Sequence, residues 1–236
     1  MSVVTRSSLK SRFGGISLGI YAADPGHLSE AAENAAGWGC DCLHFDVMDG
    51  VFVPQMTAGP AFVAALAGPA LRDVHLMVGN AVRPVESYIK AGADLISVHA
   101  ESDGAAAALR AIQAAERPVL AGLALMPETP LSAVKPLLAL APDVILVLSL
   151  DPRRNTRPDI PAACARLQEL RATTLETAPL LAFDGGVSLD NINEIAASRP
   201  DIIVSGSAVF RAADPARAFG EMAAPLSKPA PAGATR

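Results

Sequence analysis

Hydrophobic positions along the chain fall into two alternating textures. Short β-branched or aliphatic runs at Ile16–Tyr21, Leu43–Val47, Val74–Met77, Leu95–His99, Val119–Leu125, Val144–Leu148, Leu180–Phe183 and Ile202–Val204 read as eight strands. Between them lie longer stretches of helical period. Leu28, Ala31, Ala32 and Ala35, and again Leu131, Val134, Leu137 and Leu138, recur at three and four residues, which puts one apolar stripe on each helix. Asp24-Pro25, Thr129-Pro130 and Asp214-Pro215 read as helix starts. Each offers a side-chain oxygen to orphan N–H groups, then a proline where no N–H is needed.

Most of these strand runs lack polar alternation, as expected of parallel strands covered on both faces by helices. Asp41, Asp94, Asp143 and Asp201 each precede an even-numbered strand, at intervals of about fifty residues, or two strand-helix units. Alternation and recurrence together favour a closed (β/α)8 TIM barrel, α/β in class and a single domain, over an open doubly wound sheet. The expected layout is an N-terminal extension over 1–15, a barrel domain over 16–225 and a flexible tail over 226–236, where Pro and Ala dominate without period.

Composition fits that picture. The chain has 236 residues, 51% hydrophobic and 4% aromatic, within the roughly 200 to 250 residues such a barrel needs. A net charge of −5 and no clustered Lys/Arg stripe argue against a nucleic-acid partner. No apolar run approaches the ~18 residues of a membrane span, and the first 15 residues lack a signal-peptide pattern. The three cysteines, Cys40, Cys42 and Cys164, read as buried thiols in a reducing, cytoplasmic setting. Apolar helix faces make a homo-oligomer an expectation as well.

Candidate chemistry gathers at strand ends. Side chains two apart on a strand share a face, and barrels place function at the C-terminal ends of their strands. His44, Asp46 and Met48 share a face on the second strand, His75 and Met77 share one on the third, and Asp184 closes the seventh before Gly185-Gly186. Two imidazoles and two carboxylates converging from three strands form a coherent site for a divalent metal. Taken singly, each is as well explained as a core histidine or a loop cap. An inward carboxylate among apolar strands is harder to explain without a cation.

These residues sit inside longer motifs: His44-Phe-Asp-Val-Met-Asp-Gly-Val-Phe-Val-Pro54, Asp73-Val-His-Leu-Met-Val78, Ala91-Gly-Ala-Asp-Leu-Ile-Ser-Val-His99, Asp184-Gly-Gly-Val187 and Ser205-Gly-Ser-Ala-Val-Phe210. In order and content they resemble the ribulose-phosphate 3-epimerase family, from about Ile16 to Phe219. The resemblance implies an isomerase that inverts C3 of a ketose phosphate, D-ribulose 5-phosphate to D-xylulose 5-phosphate, through an enediolate. It implies one divalent ion, zinc first and Fe(II), Mn or Co as alternatives, on His44, Asp46, His75 and Asp184. Asp46 and Asp184 then form the acid/base pair, and Met48 and Met77 line the substrate site. No redox cofactor is needed, and the partner is a small sugar phosphate. Gly185, Gly186, Gly206 and Ser207 fall where backbone N–H groups cradle a phosphate after strands seven and eight.

Four departures bear on the substrate. Asp151-Pro-Arg-Arg-Asn-Thr-Arg157 replaces the family's glycine-rich closing loop, Gly19 stands where the family has a serine, Gln55-Met56 replaces its usual Asn-Leu, and Leu148 replaces a third methionine. Arg153, Arg154 and Arg157 are alternative phosphate contacts or a solvated run. An epimerase of another ketose phosphate, such as a hexulose phosphate, and a non-catalytic sugar-phosphate-binding relative are the alternatives. Lys10, Lys90, Lys135 and Lys228 avoid inward strand ends, which disfavours a Schiff-base aldolase.

Overall fold

In the computed structural model, which describes residues 4–66 and 70–226, eight parallel strands close a ring in the order β1-β2-β3-β4-β5-β6-β7-β8. They are β1 (Gly15–Gly19), β2 (Cys42–Met48), β3 (Leu71–Met77), β4 (Leu95–His99), β5 (Leu120–Leu125), β6 (Val144–Leu148), β7 (Leu180–Asp184) and β8 (Ile202–Ser205). Helices sheathe them: α1 (Arg6–Lys10), α2 (Leu28–Gly37), α3 (Pro60–Ala65), α4 (Val82–Lys90), α5 (Ala105–Gln113), α6 (Leu131–Leu138), α7 (Ile160–Thr173), α8 (Ile192–Ala197), α9 (Ser207–Phe210) and α10 (Pro215–Ala223). Among the described residues no helix is long and apolar enough to cross a membrane. Most of the expected tail, 227–236, lies outside them.

Strand alternation divides the core into two layers. Leu43, Phe45, Val47, Val74, Leu76, Ile96 and Val98 pack outward against the helices. Cys42, Leu71, Leu95, Leu120, Val144, Ala182 and Ile202 fill the barrel interior instead. Gly122 lets β5 approach β4, since a Cβ there would lie 2.9 Å from the Cα of Ser97. The floor is closed by α1, whose Leu9, with Phe13 just beyond it, is buried in that interior cluster. Thr5 caps α1 through Ser8, and Arg6 pairs with Asp143 at 2.7 Å.

The recurring aspartates knit the floor. The carbonyls of Asp41, Asp94, Asp143 and Asp201 accept the N–H groups of Leu71, Leu120, Leu180 and Gly15, at the starts of β3, β5, β7 and β1. The carboxylates of Asp94, Asp143 and Asp201 also accept from the backbone N–H groups of Arg72, Ala121 and Leu181. Asp fits at 94, 143 and 201 because each of these positions joins two neighbouring odd strands and needs an acceptor beyond its own carbonyl.

Two local expectations change. The first strand stops at Gly19, and Ile20–Ala22 turn into a 3-10 helix. Thr129 does not cap α6; its hydroxyl donates to the Glu101 carboxylate, so a stronger charged acceptor outcompetes the helix end. Asp214 caps α10 by accepting from Arg217 N–H, as its sequence position implies. Asp24 caps the short 3-10 turn Pro25–His27, one turn ahead of α2.

Candidate active site

The C-terminal mouth of the barrel brings four sequence candidates into one cluster. One ligand atom from each of His44, Asp46, His75 and Asp184 lies within 4.8 Å of the others. The β2–β3 register sets Asp46 beside His75, while β8 and β1 separate β2 from Asp184 on β7. Asp46 Oδ1 is the hub, 3.2 Å from both His44 Nε2 and His75 Nδ1. Asp184 Oδ2 lies 3.6 Å from His75 Nδ1. Both imidazoles are fully buried.

Each imidazole is held from behind. His44 Nδ1 lies 2.7 Å from Asp73 Oδ2, which also accepts from the Ser17 hydroxyl at 2.8 Å. His75 Nε2 lies 2.9 Å from His99 Nε2, and His99 Nδ1 lies 3.0 Å from Glu101 Oε2. Glu101 Oε1 takes the Met126 N–H at 3.1 Å and the Thr129 hydroxyl.

Charge in the cluster is unbalanced in a telling way. Burial disfavours a charged His44, but Asp73 and Asp46 overcome it and hold the ring's second proton well above the usual histidine range. Burial would raise Asp46, yet the neighbouring His44 above all brings it below the usual carboxylate range. Burial, then the Asp46 charge, raises Asp184. Burial lowers His99 to about 4, and Glu101 is drawn down to about 2, against its own burial, chiefly by His99. The cluster thus gathers two imidazoles and two carboxylates whose charges are strongly coupled through burial and proximity. His44, Asp46, His75 and Asp184 could hold a metal ion.

Beside the cluster opens a cavity of about 330 Å3 lined by Asp46, Met48, Asp184, Gly185, Gly186, Gly206 and Ser207, among others. All the candidate substrate residues except Met77 are there; Met77 is buried next to Met48 in the strand register. Gly185 and Gly186 have φ of +98° and +64°, the left-handed region that glycine favours. At Gly206 a Cβ would come within 2.7 Å of the Gly19 carbonyl and 2.9 Å of Ala22.

The loop after β6 is braced on itself. Asp151, 2% exposed, accepts from the Arg153 N–H and guanidinium and from Arg154 Nε. Arg154 also pairs with Glu128 at 2.6 Å, and Arg153 lies 5.8 Å over the Phe52 ring, which packs on His99. None of Arg153, Arg154 and Arg157 lines the 330 Å3 cavity; Arg157 faces a separate groove of about 700 Å3 between that loop and α7. Sequence reasoning left His99 out of the ligand set, and the structure places it behind His75; the same reasoning missed Ser17, Asp73 and Glu101. The signal was there: Asp73 and His75, like His99 and Glu101, are two apart. The cysteines are buried and free, with burial pushing Cys40 up to about 11.

The family model described as the ribulose-phosphate 3 epimerase family matches residues 15–210. Ribulose-phosphate 3-epimerase of Escherichia coli is 37% identical over 215 residues, covering 89% of this chain and 94% of the relative. The chloroplastic ribulose-5-phosphate-3-epimerase of Arabidopsis thaliana is 36% identical over 226 residues, covering 92% and 80%. Among solved structures, a 3-hexulose-6-phosphate synthase superposes with a TM-score of 0.65 at 20% identity, over 90% of this chain and 98% of that one. The 3-keto-L-gulonate-6-phosphate decarboxylase of Vibrio cholerae gives 0.66 at 16% identity, over 92% and 100%. Those two likenesses speak to the fold alone. The matched family model and the identities to curated relatives lead to one conclusion: this chain belongs to the ribulose-phosphate 3-epimerase family and is an enzyme of the isomerase class.

Proposed function

We propose that the protein is a metal-dependent epimerase that inverts C3 of a ketose phosphate, D-ribulose 5-phosphate to D-xylulose 5-phosphate, by two-aspartate acid/base chemistry. The observation that carries the reading is the cluster of buried His44 and His75 with half-buried Asp46 and Asp184, opening onto the glycine-lined cavity. Its two nitrogens and two oxygens suit zinc first, then Fe(II), Mn or Co. When bound, the metal supplies Lewis-acid stabilisation of the charge that develops on the substrate oxygens as the C3 proton leaves.

The rest falls to side chains and backbone. Asp46, kept anionic chiefly by His44, takes the C3 proton, and Asp184, the more readily protonated partner, returns one to the opposite face. The reverse reaction exchanges the two roles. Backbone N–H groups at Gly185, Gly186, Gly206 and Ser207 receive the phosphate, and Met48, backed by the buried Met77, gives the sugar an apolar wall.

The test is to incubate the purified protein with ribulose 5-phosphate in D2O and read xylulose 5-phosphate and deuterium at C3. The same assay is run after chelation, after metal is restored, and with six- and four-carbon ketose phosphates because the loop at 151–157 is distinct. No exchange at C3 with any of these substrates in the metal-restored protein would sink the proposal. Turnover that survives exhaustive chelation would remove the metal from it.

A further inference from the structure

We propose that Glu101, acting through His99, is a positioning residue that fixes which nitrogen of His75 carries hydrogen, and so keeps Nδ1 free as a donor to a cation. The inference rests on the metal-site reading above and deepens it. It follows from counting hydrogens along one chain of contacts. Glu101 Oε1 faces two groups that can donate to it, the Met126 N–H and the Thr129 hydroxyl. That leaves Oε2 to accept from His99 Nδ1, 3.0 Å away. With its hydrogen on Nδ1, a neutral His99 offers only a lone pair at Nε2. His75 Nε2, 2.9 Å from that lone pair, must then be the N–H that donates. The His75 hydrogen is thereby held on the far side of the ring, and Nδ1 faces Asp46 and Asp184 with its lone pair bare.

The relay is rigid enough to enforce this. His75 and His99 are fully buried, their rings 4.9 Å apart, so no water competes for either nitrogen. Phe52 closes the other side of His99, its ring centre also 4.9 Å away. His44 reaches the same end by direct contact with a carboxylate, Asp73. On the His75 side the carboxylate is one imidazole further away, so His99 must pass on the preference. Partners of this kind typically change metal affinity by about 10- to 100-fold when altered.

Glu101→Gln is the discriminating variant. Its amide oxygen can satisfy Met126 and Thr129 only if its NH2 group turns to His99. Every hydrogen in the relay then reverses, and Nδ1 of His75 becomes protonated. The experiment records long-range proton–nitrogen NMR spectra of nitrogen-labelled histidines in metal-free parent and variant, and titrates both with zinc ion against a competing chelator. The expected result is His75 with hydrogen on Nε2 in the parent and on Nδ1 in the variant, with zinc affinity lower by at least about 10-fold. A parent His75 with hydrogen on Nδ1, or a variant with unchanged tautomer, would overturn the relay even if affinity fell, because loss of charge alone could cause that fall. Should the variant not fold, the tautomer in the parent decides by itself. A parent with the expected tautomer that binds no zinc would overturn the metal reading while leaving the relay in place.

Discussion

The Asp73 carboxylate grips His44 at Nδ1, 2.7 Å away, and so turns His44 Nε2 toward Asp46. The Ser17 hydroxyl holds the same oxygen at 2.8 Å, fixing the carboxylate in place. Asp73→Asn preserves an acceptor but removes the charge that makes the imidazole a strong donor. It is expected to weaken metal binding by about 10-fold with little change in secondary structure. Chelator competition on the purified variant reads this directly, and parental affinity would refute the role.

Asp46 and Asp184 carry the proton transfers in the proposed reaction. Asp46→Asn or Asp184→Asn is expected to lower kcat by at least about 10^3-fold, within the range for loss of a positioned acid or base, while circular dichroism stays native. Deuterium uptake at C3 separates the two steps. A variant that still exchanges C3 but makes no product has lost the returning group, whereas one with near-parental turnover removes that aspartate from the mechanism.

The loop that follows β6 carries a pH signature. Arg153, before any other influence, holds Asp151 down to about 2, below its ordinary 3.8. A depressed folded value stabilises fully above the ordinary one and is lost as pH falls from there toward about 2. Asp151 is buried but its arginine partners are 36% and 53% exposed, so screening limits the gain. Asp151→Asn is expected to cost about 1 to 2 kcal/mol at neutral pH, with parent and variant converging as the solution is acidified through that window. Denaturant melts at a series of pH values test this; a constant difference across the window would contradict it.

Gly206 meets the Gly19 carbonyl and Ala22 where β8 ends against β1. Gly206→Ala must push those atoms apart, at about 1 to 3 kcal/mol for overpacking. The same displacement moves backbone N–H groups assigned to the phosphate, so KM is expected to rise more than kcat falls. Thermal melts and steady-state kinetics read the two effects, and an unchanged KM would argue that the phosphate sits elsewhere.

The barrel was legible because its strands are buried on both faces, leaving uninterrupted runs such as Val144–Leu148 that no surface helix would show. The four central site residues were legible for a related reason. His44 and Asp46 obey two-residue alternation at a strand end, where polar side chains among aliphatic neighbours stand out. Ser17 did not stand out, because it looks like an ordinary polar residue until Asp73 on β3 supplies its partner, and Glu101 lies just past the end of β4, where an acidic residue is unremarkable until the loop after β5 closes on it. Thr129 was misread for the converse reason: Thr-Pro is a strong local helix start, and only the fold brings Glu101, 28 residues earlier in the chain, close enough to take the hydroxyl. The arginines at 153 and 154 were ambiguous in sequence because Asp151 precedes them as closely as any solvent-facing charge would. Only its burial shows that they are committed to it.

The plug formed by Leu9 and Phe13 has a kinetic meaning. Their burial is shared with Cys42, Leu71, Leu95, Leu120, Val144, Ala182 and Ile202, one from each strand of β2 to β8. No partial ring offers that whole surface, so the docking of Leu9 and Phe13 is coupled to closure of the barrel. Contacts between segments so far apart in sequence raise the contact order of the fold, which slows closure of the ring.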